Sequence, residues 1–187
     1  FILVLTIPAW AQGTEVVSIS SAAEWKAFCQ RVNNNGETTL NAKLTQDVDL
    51  GSEIVMAGTA DPYYYNFFYY TGTFDGQGHT LKFNWNGGSD SDIAPFKKVS
   101  NATIKNLRTE GTIKSNSYYL SGLVGDAYGT VNISNCASNV NITSSILISA
   151  CNAAGLICFV KPGANVTIDD CVVKGNITAT TDIGKDK

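Results

Sequence analysis

Residues 130–142 read TVNISNCASNVNI, and the spacing of their apolar positions decides the fold. Val131 and Ile133 alternate, Ser134-Asn135 intervene, and Cys136, Ser138, Val140 and Ile142 alternate again. In a strand, residues two apart share a face. Two intervening residues restore the inward direction only if the chain turns a corner between them. The stretch therefore predicts two short strands joined by a corner.

The pattern recurs on either side, in ATIKNLRTEGTI (102–113) and NVTIDDCVVKGNI (165–177). Ile104, Ile133 and Ile168 form one column, Leu107, Cys136 and Cys171 a second, and Ile113, Ile142 and Ile177 a third. All three step by 29 and then 35 residues. The corner column is Asn106, Asn135 and Asp170, residue types that tolerate left-handed backbone and bond locally. GLVG at 122–125 and GLIC at 155–158 follow the first two corners and predict a third strand in each unit. In this reading Gly125 ends that strand where coils approach closely or turn sharply, and Cys158 replaces it with a small side chain.

A repeat near thirty residues with three inward strands predicts a solenoid of stacked parallel coils, about 4.8 Å apart. Each inward Leu, Ile or Val contributes roughly 1.5–3 kcal/mol on burial, much of it offset by ordering the backbone. One coil alone would not fold; stacking stabilises it. GTFDGQGHTLKFNW (72–85) reads as an earlier coil, with a turn at Asp75–Gly78 and Leu81, Phe83 and Trp85 directed inward. APFK (94–97) takes the place of GLVG there. The fold expected is all-β, a parallel β-helix with an N-terminal capping α-helix.

That helix is predicted at about 22–32. Ser21 and Glu24 fit a capping box, each satisfying the other's free backbone donor. Ala22, Trp25, Phe28, Cys29 and Val32 make one apolar stripe. Asn33–Gly36 supplies the stop. An amphipathic helix is well placed to cover the exposed edges of a first coil.

The first eleven residues, FILVLTIPAWA, form an uncharged apolar run ending in a small-x-small pattern. They read as a truncated signal peptide cleaved after Ala11, too short to span a bilayer as a helix. The chain thus divides into this remnant (1–11), a cap with the first strands (12–50) and β-helix coils (51–187) continuing past the C-terminus. The expected location is secreted or on a bacterial cell surface, with no membrane insertion after signal cleavage.

The 187 residues suffice for one domain with a real core. A net charge of −3, with 13 scattered Lys and Arg, argues against nucleic acid and anionic membrane surfaces as partners. Five cysteines without a CxxC pair, beside a single His, suit neither a disulfide scaffold nor a zinc site. Cys136 and Cys171 would face each other across neighbouring coils. Export would permit a bond there, against the tendency of parallel strands to miss the required separation.

Taken together, SSAAEWKAFCQRVNNNG, LTQDVDLG, YTGTFDGQGHTLKF, NATIKNL and GLVG resemble the GLUG-motif proteins. These are right-handed parallel β-helices of Bacteroides-like bacterial surfaces, also found next to IgA-peptidase domains. The resemblance covers nearly all of residues 12–187, with Cys158 and APFK as departures. It implies a right-handed parallel β-helix of pectate-lyase-like architecture, and an exported, repeat-built, adhesin-like module without chemistry of its own.

Carboxylate pairs of the kind that cleave glycosides deserve a check in such an architecture. Asp169-Asp170 is the adjacent pair, and Asp170 reads as a corner residue. Asp47 and Asp49 alternate on one face without a third acid to hold calcium. His79, the single histidine, flanks a Gly-rich turn with Asp75. Five Asn-x-Ser/Thr sequons, at Asn101, Asn132, Asn141, Asn165 and Asn176, read as outward strand and corner positions. No catalytic residue, metal or cofactor is assigned.

The stretch DPYYYNFFYYTGTF (61–74) holds seven aromatics in eight positions. One strand face cannot bury so many. Either they seal the gap between helix and first coil, or exposed rings form a platform for sugar faces. Tyr63, Tyr64, Tyr65, Tyr69 and Tyr70 are the candidate ligand-binding residues, with a glycan or an extracellular host protein as partner. The function expected is non-catalytic binding. The alternatives are a fragment of a polysaccharide lyase or glycoside hydrolase with catalytic coils beyond Lys187, or a structural spacer.

Overall fold

The computed structural model describes residues 15–61, 66–87, 91–145 and 152–179. The expected signal remnant lies outside them, as do Tyr63, Tyr64, Tyr65 and Cys151. The chain opens with β1 (Val16–Ile19) and α1 (Ala22–Asn33), then β2 (Asn41–Leu44) and β3 (Val48–Asp49). A small antiparallel hairpin, β4 (Thr59–Asp61) with β5 (Asn66–Phe68), interrupts the first turn. Three fuller turns follow. The first comprises β6 (Thr73–Asp75), β7 (Thr80–Asn86), β8 (Asp92–Ile93) and β9 (Phe96–Ser100). The second is β10 (Thr103–Lys105), β11 (Arg108–Ser115), β12 (Tyr119–Ser121) and β13 (Val124–Tyr128). The third is β14 (Thr130–Ser134), β15 (Ala137–Ser144), β16 (Asn152–Ala154) and β17 (Ile157–Val160). A last rung holds β18 (Asn165–Asp169), β19 (Val172–Val173) and β20 (Ile177–Ala179).

Corresponding strands of successive turns pair in parallel, giving a β-solenoid of about four turns. The sequence columns are in register: Ile104 with Ile133 and Ile133 with Ile168, Ile113 with Ile142 and Ile142 with Ile177. Upstream, Phe74 and Trp85 extend the first and third columns. Asn106, Asn135 and Asp170 all adopt positive φ, at 53°, 50° and 49°. Their side chains link coil to coil: Asn135 donates to Asn106 Oδ1 at 2.8 Å, and Asn106 to Asp75 Oδ1 at 2.9 Å. The corner is thus tied by its own column, as well as permitted by residue type.

The third side of each coil differs from the expectation of one strand. It is two short strands with a bend between them, and GLVG straddles the bend: Gly122-Leu123 form it, while Val124-Gly125 enter β13. Gly125 therefore lies within a strand. A Cβ on Gly122 would stand 2.2 Å from Ser138 Oγ and 2.5 Å from the Gly155 carbonyl oxygen, so the bend passes too close to its neighbours for any side chain. At Gly125 a Cβ would meet the Lys97 carbonyl oxygen at 2.5 Å. Cys158, one turn later, directs its thiol to the Asn152 carbonyl of β16 at 3.1 Å. APFK does occupy the GLVG place, since Phe96 pairs with Val124 and Val124 with Ile157.

In α1, Trp25, Phe28, Cys29 and Val32 are buried as the stripe predicts. Trp25 packs edge-on against Phe74 and Phe96, and Phe28 against Tyr70, with centroids 5.5–5.8 Å apart. The cap is a capping box shared with Ser20. Ser21 accepts from Glu24 N at 3.3 Å as the capping box requires, and the Glu24 carboxylate is met most closely by Ser20 N, at 2.6 Å, with a smaller contribution from Ser21. Bonds from Ser20 hold the Glu24 carboxyl below its usual pKa. The helix ends at Asn34 in right-handed conformation, and positive φ comes later, at Gly36. Asn33 then ties the helix to the following segment, donating to Met56 O and accepting from Gly58 N, both at 2.8 Å.

Candidate functional site

The bend between β8 and β9 brings together two residues that an extended chain would hold roughly 20 Å apart. Asp92 and Lys98 meet at 3.0 Å across it. Lys98 stands in register with Asp126 of β13, and those two pair at 2.8 Å. Lys161, just past β17, adds a third contact at 2.9 Å to the same Asp126 oxygen. Asp92 and Asp126 are each 1% exposed, so two carboxylates and a lysine are desolvated together.

Burial works against the Lys98 ammonium, yet hydrogen bonds and charge from Asp126 and Asp92 outweigh it and hold its pKa above the ordinary lysine value. A lysine so held stays protonated at neutral pH and is a poor base. The second oxygen of each carboxylate, Oδ1, is buried and has no hydrogen-bond partner. The cluster is therefore organised to keep opposite charges in place, with acceptor capacity to spare.

Aromatic rings cover this cluster. Tyr128 places its hydroxyl 3.4 Å from Asp126 Oδ2, and burial together with the Asp126 charge raises its pKa. Tyr69, which follows the hairpin, stacks on Tyr128 with centroids 4.5 Å apart and planes 11° apart. Lys161 lies 4.3 Å above the Phe159 ring and 5.6–5.7 Å from those of Tyr128 and Tyr119. Tyr119 and Phe159 touch in turn, at 5.7 Å. Tyr69, Tyr119, Tyr128 and Phe159 are all partly exposed. The arrangement presents aromatic faces, phenol hydroxyls and one ammonium to solvent, above a fixed charged floor. Such a surface suits stacking and hydrogen bonding to a polar ligand.

Of the sequence-derived tyrosines, Tyr69 belongs to this surface. Tyr70 does not face solvent at all: it is fully buried, bridges to Val99 and packs on Phe28 and Phe96. Burial raises its phenol pKa. Adjacent residues of the aromatic stretch thus part ways, Tyr70 sealing the core and Tyr69 remaining partly exposed. Phe67, beside Tyr69 at 6.2 Å, is exposed as well.

The remaining candidates have local roles. Asp47 Oδ1 accepts from Thr80 N and Asp49 Oδ1 from Gly51 N. His79 sits 3.4 Å from Asp47 on the same exposed corner. Among the described residues no group of three His, Cys, Asp or Glu could hold a metal ion. All five sequon asparagines are exposed, and Asn101 and Asn141 accept from backbone N–H groups of the next coil.

Asp92, Lys98, Asp126 and Lys161 escaped the sequence reading. Their signal was one residue beyond the repeat motif: extending APFK and GLVG by one position aligns Lys98 with Asp126, opposite charges in one column. Comparison with family models, with curated proteins and with solved structures found no match to this chain.

Proposed function

We propose that this chain is an exported, non-catalytic solenoid module of the GLUG-motif kind, with α1 closing one end, that binds glycan through its Tyr69–Tyr128 face. The observation that carries the reading is the near-parallel stack of Tyr69 on Tyr128, with Lys161 set among the neighbouring rings. Sugars offer apolar C–H faces to such rings and hydroxyls to the phenol groups around them. The buried ion pairs below support a binding role, since a lysine kept protonated and carboxylates committed to it hold a surface in shape. Export rests on the character of residues 1–11, and no helix among the described residues is long and apolar enough to cross a membrane.

A glycan array probed with residues 12–187, and with Tyr69→Ala and Tyr128→Ala, tests this. Binding by the parent that falls at least tenfold in both variants, with thermal unfolding of Tyr69→Ala unchanged, is the expected result. Binding indifferent to both changes contradicts the site. Binding to no glycan, but to an extracellular protein through the same rings, would move the partner class. Binding to nothing would leave a spacer.

A further inference from the structure

Cys136 and Cys171 occupy one column on neighbouring coils, flanked by in-register pairs on both sides: Ser134 with Asp169, and Ala137 with Val172. The Val172 amide donates to the Cys136 carbonyl at 2.9 Å, which fixes the two residues as direct neighbours. Both thiols choose the same direction, each bonding the carbonyl two residues back, Ser134 O at 3.3 Å and Asp169 O at 3.2 Å. In-register parallel strands lie about 4.8 Å apart, inside the 4.4–6.8 Å window of Cα separations that disulfides span, though their Cβ atoms must close by a few tenths of an ångström.

We propose that Cys136 and Cys171 form a disulfide when the chain meets a disulfide-bearing oxidant, stapling the last rung to the coil before it. Among the described residues the rung pairs on one side only, β19 with β15, and Val172 and Val173 are about half exposed, so the rung can move toward the coil before it. In an interior pair of coils the same shift would have to displace a neighbour on each side.

The less buried Cys171 reacts first. Its thiolate attacks one sulfur of the oxidant, such as oxidised glutathione, giving a mixed disulfide and releasing one glutathione thiolate, which takes up the proton that Cys171 gave up. Burial, with a further contribution from the Cys171 thiol, pushes Cys136 up to about 12, so it is the slow partner. Held beside the mixed disulfide, Cys136 loses its proton to solvent and attacks the Cys171 sulfur, expelling the second glutathione. Two thiols are oxidised and one disulfide is reduced.

The test is peptide mapping under non-reducing conditions after incubation with oxidised glutathione, on the parent, Cys136→Ser and Cys171→Ser. The expected result is a Cys136–Cys171 cross-linked peptide in the parent, and unfolding at higher temperature than the reduced form. Cys136→Ser should stop at a glutathione adduct on Cys171, and Cys171→Ser should show no oxidant-dependent shift in melting. Recovery of both cysteines as free thiols overturns the proposal. So does a bond from Cys171 to Cys151 or Cys158. The glycan reading is independent of either outcome.

Discussion

The middle coils and the last rung are built from the same residues and differ in what covers them. Ile104 and Ile133 are fully buried, whereas Ile168, next in their column, is 51% exposed. Ile142 is 1% exposed and Ile177, its register partner, 52%. The sequence pattern is equally regular in both places. Burial in a solenoid is thus a property of having a coil on each side, and the repeat unit specifies only which side chains are offered.

The contrast should be largest for charge. Lys98→Met leaves Asp92 and Asp126 buried without their shared counter-ion and should destabilise by about 3–5 kcal/mol. Lys174→Met, on the exposed last rung, should stay within roughly 0.5 kcal/mol. Chemical denaturation of both variants measures the difference. Equal effects would mean the Asp–Lys cluster is not desolvated.

Apolar truncation comes next. Ile133→Ala should cost about 2–5 kcal/mol, as for other fully buried aliphatic residues. Ile168→Ala, in the same column, should cost less than half as much, because half its surface is already in water. Comparable losses would show that the last rung is covered in solution.

Overpacking at the bend sharpens the comparison further. Gly122→Val drives a side chain into Ser138 Oγ and a backbone carbonyl, at a cost of about 1–3 kcal/mol. Gly155→Val meets the side chain of Val173 on the half-exposed last rung, where the short strand itself can shift and no backbone carbonyl stands in the way, so the loss should be smaller. Thermal unfolding of the pair checks the order.

Alkali should act on the buried titratable groups. The raised pKa of Lys98 means its stabilisation is complete below the ordinary lysine value of 10.5 and fades as pH rises through the folded value. Raised values at Tyr70, Tyr128 and Cys136 act in the same direction, from about pH 9 upward. Stability measured in urea should therefore fall steadily between pH 9 and 11, and Lys98→Met should flatten the upper part of that decline. A stability that is flat across this range would contradict the shifts.

Much of this architecture was legible because solenoid columns repeat the same residue types at near-constant steps. Ile104, Ile133 and Ile168 announce a register, and Asn106, Asn135 and Asp170 announce a corner. The bend inside GLVG was not legible. Leu123 and Val124 are both buried, and a continuous apolar pair carries no period that separates a strand from a corner. The capping box was legible at Ser21, which accepts from Glu24 N, but not the stronger part that Ser20 takes with the Glu24 carboxylate. The aromatic stretch gave composition without direction: adjacent Tyr69 and Tyr70 point to opposite fates, as alternation along an extended chain requires. The charged floor of the candidate site was hidden by convention, since Asp and Lys in strands are ordinarily read as solvated.

Methyl-labelled NMR of the isoleucines tests the stacked parallel register most directly. The account predicts close contacts from Ile104 to Ile133 and from Ile133 to Ile168, and likewise along Ile113, Ile142 and Ile177, with none skipping a coil. Contacts that skip a coil, or pairings that run antiparallel between these segments, would contradict it.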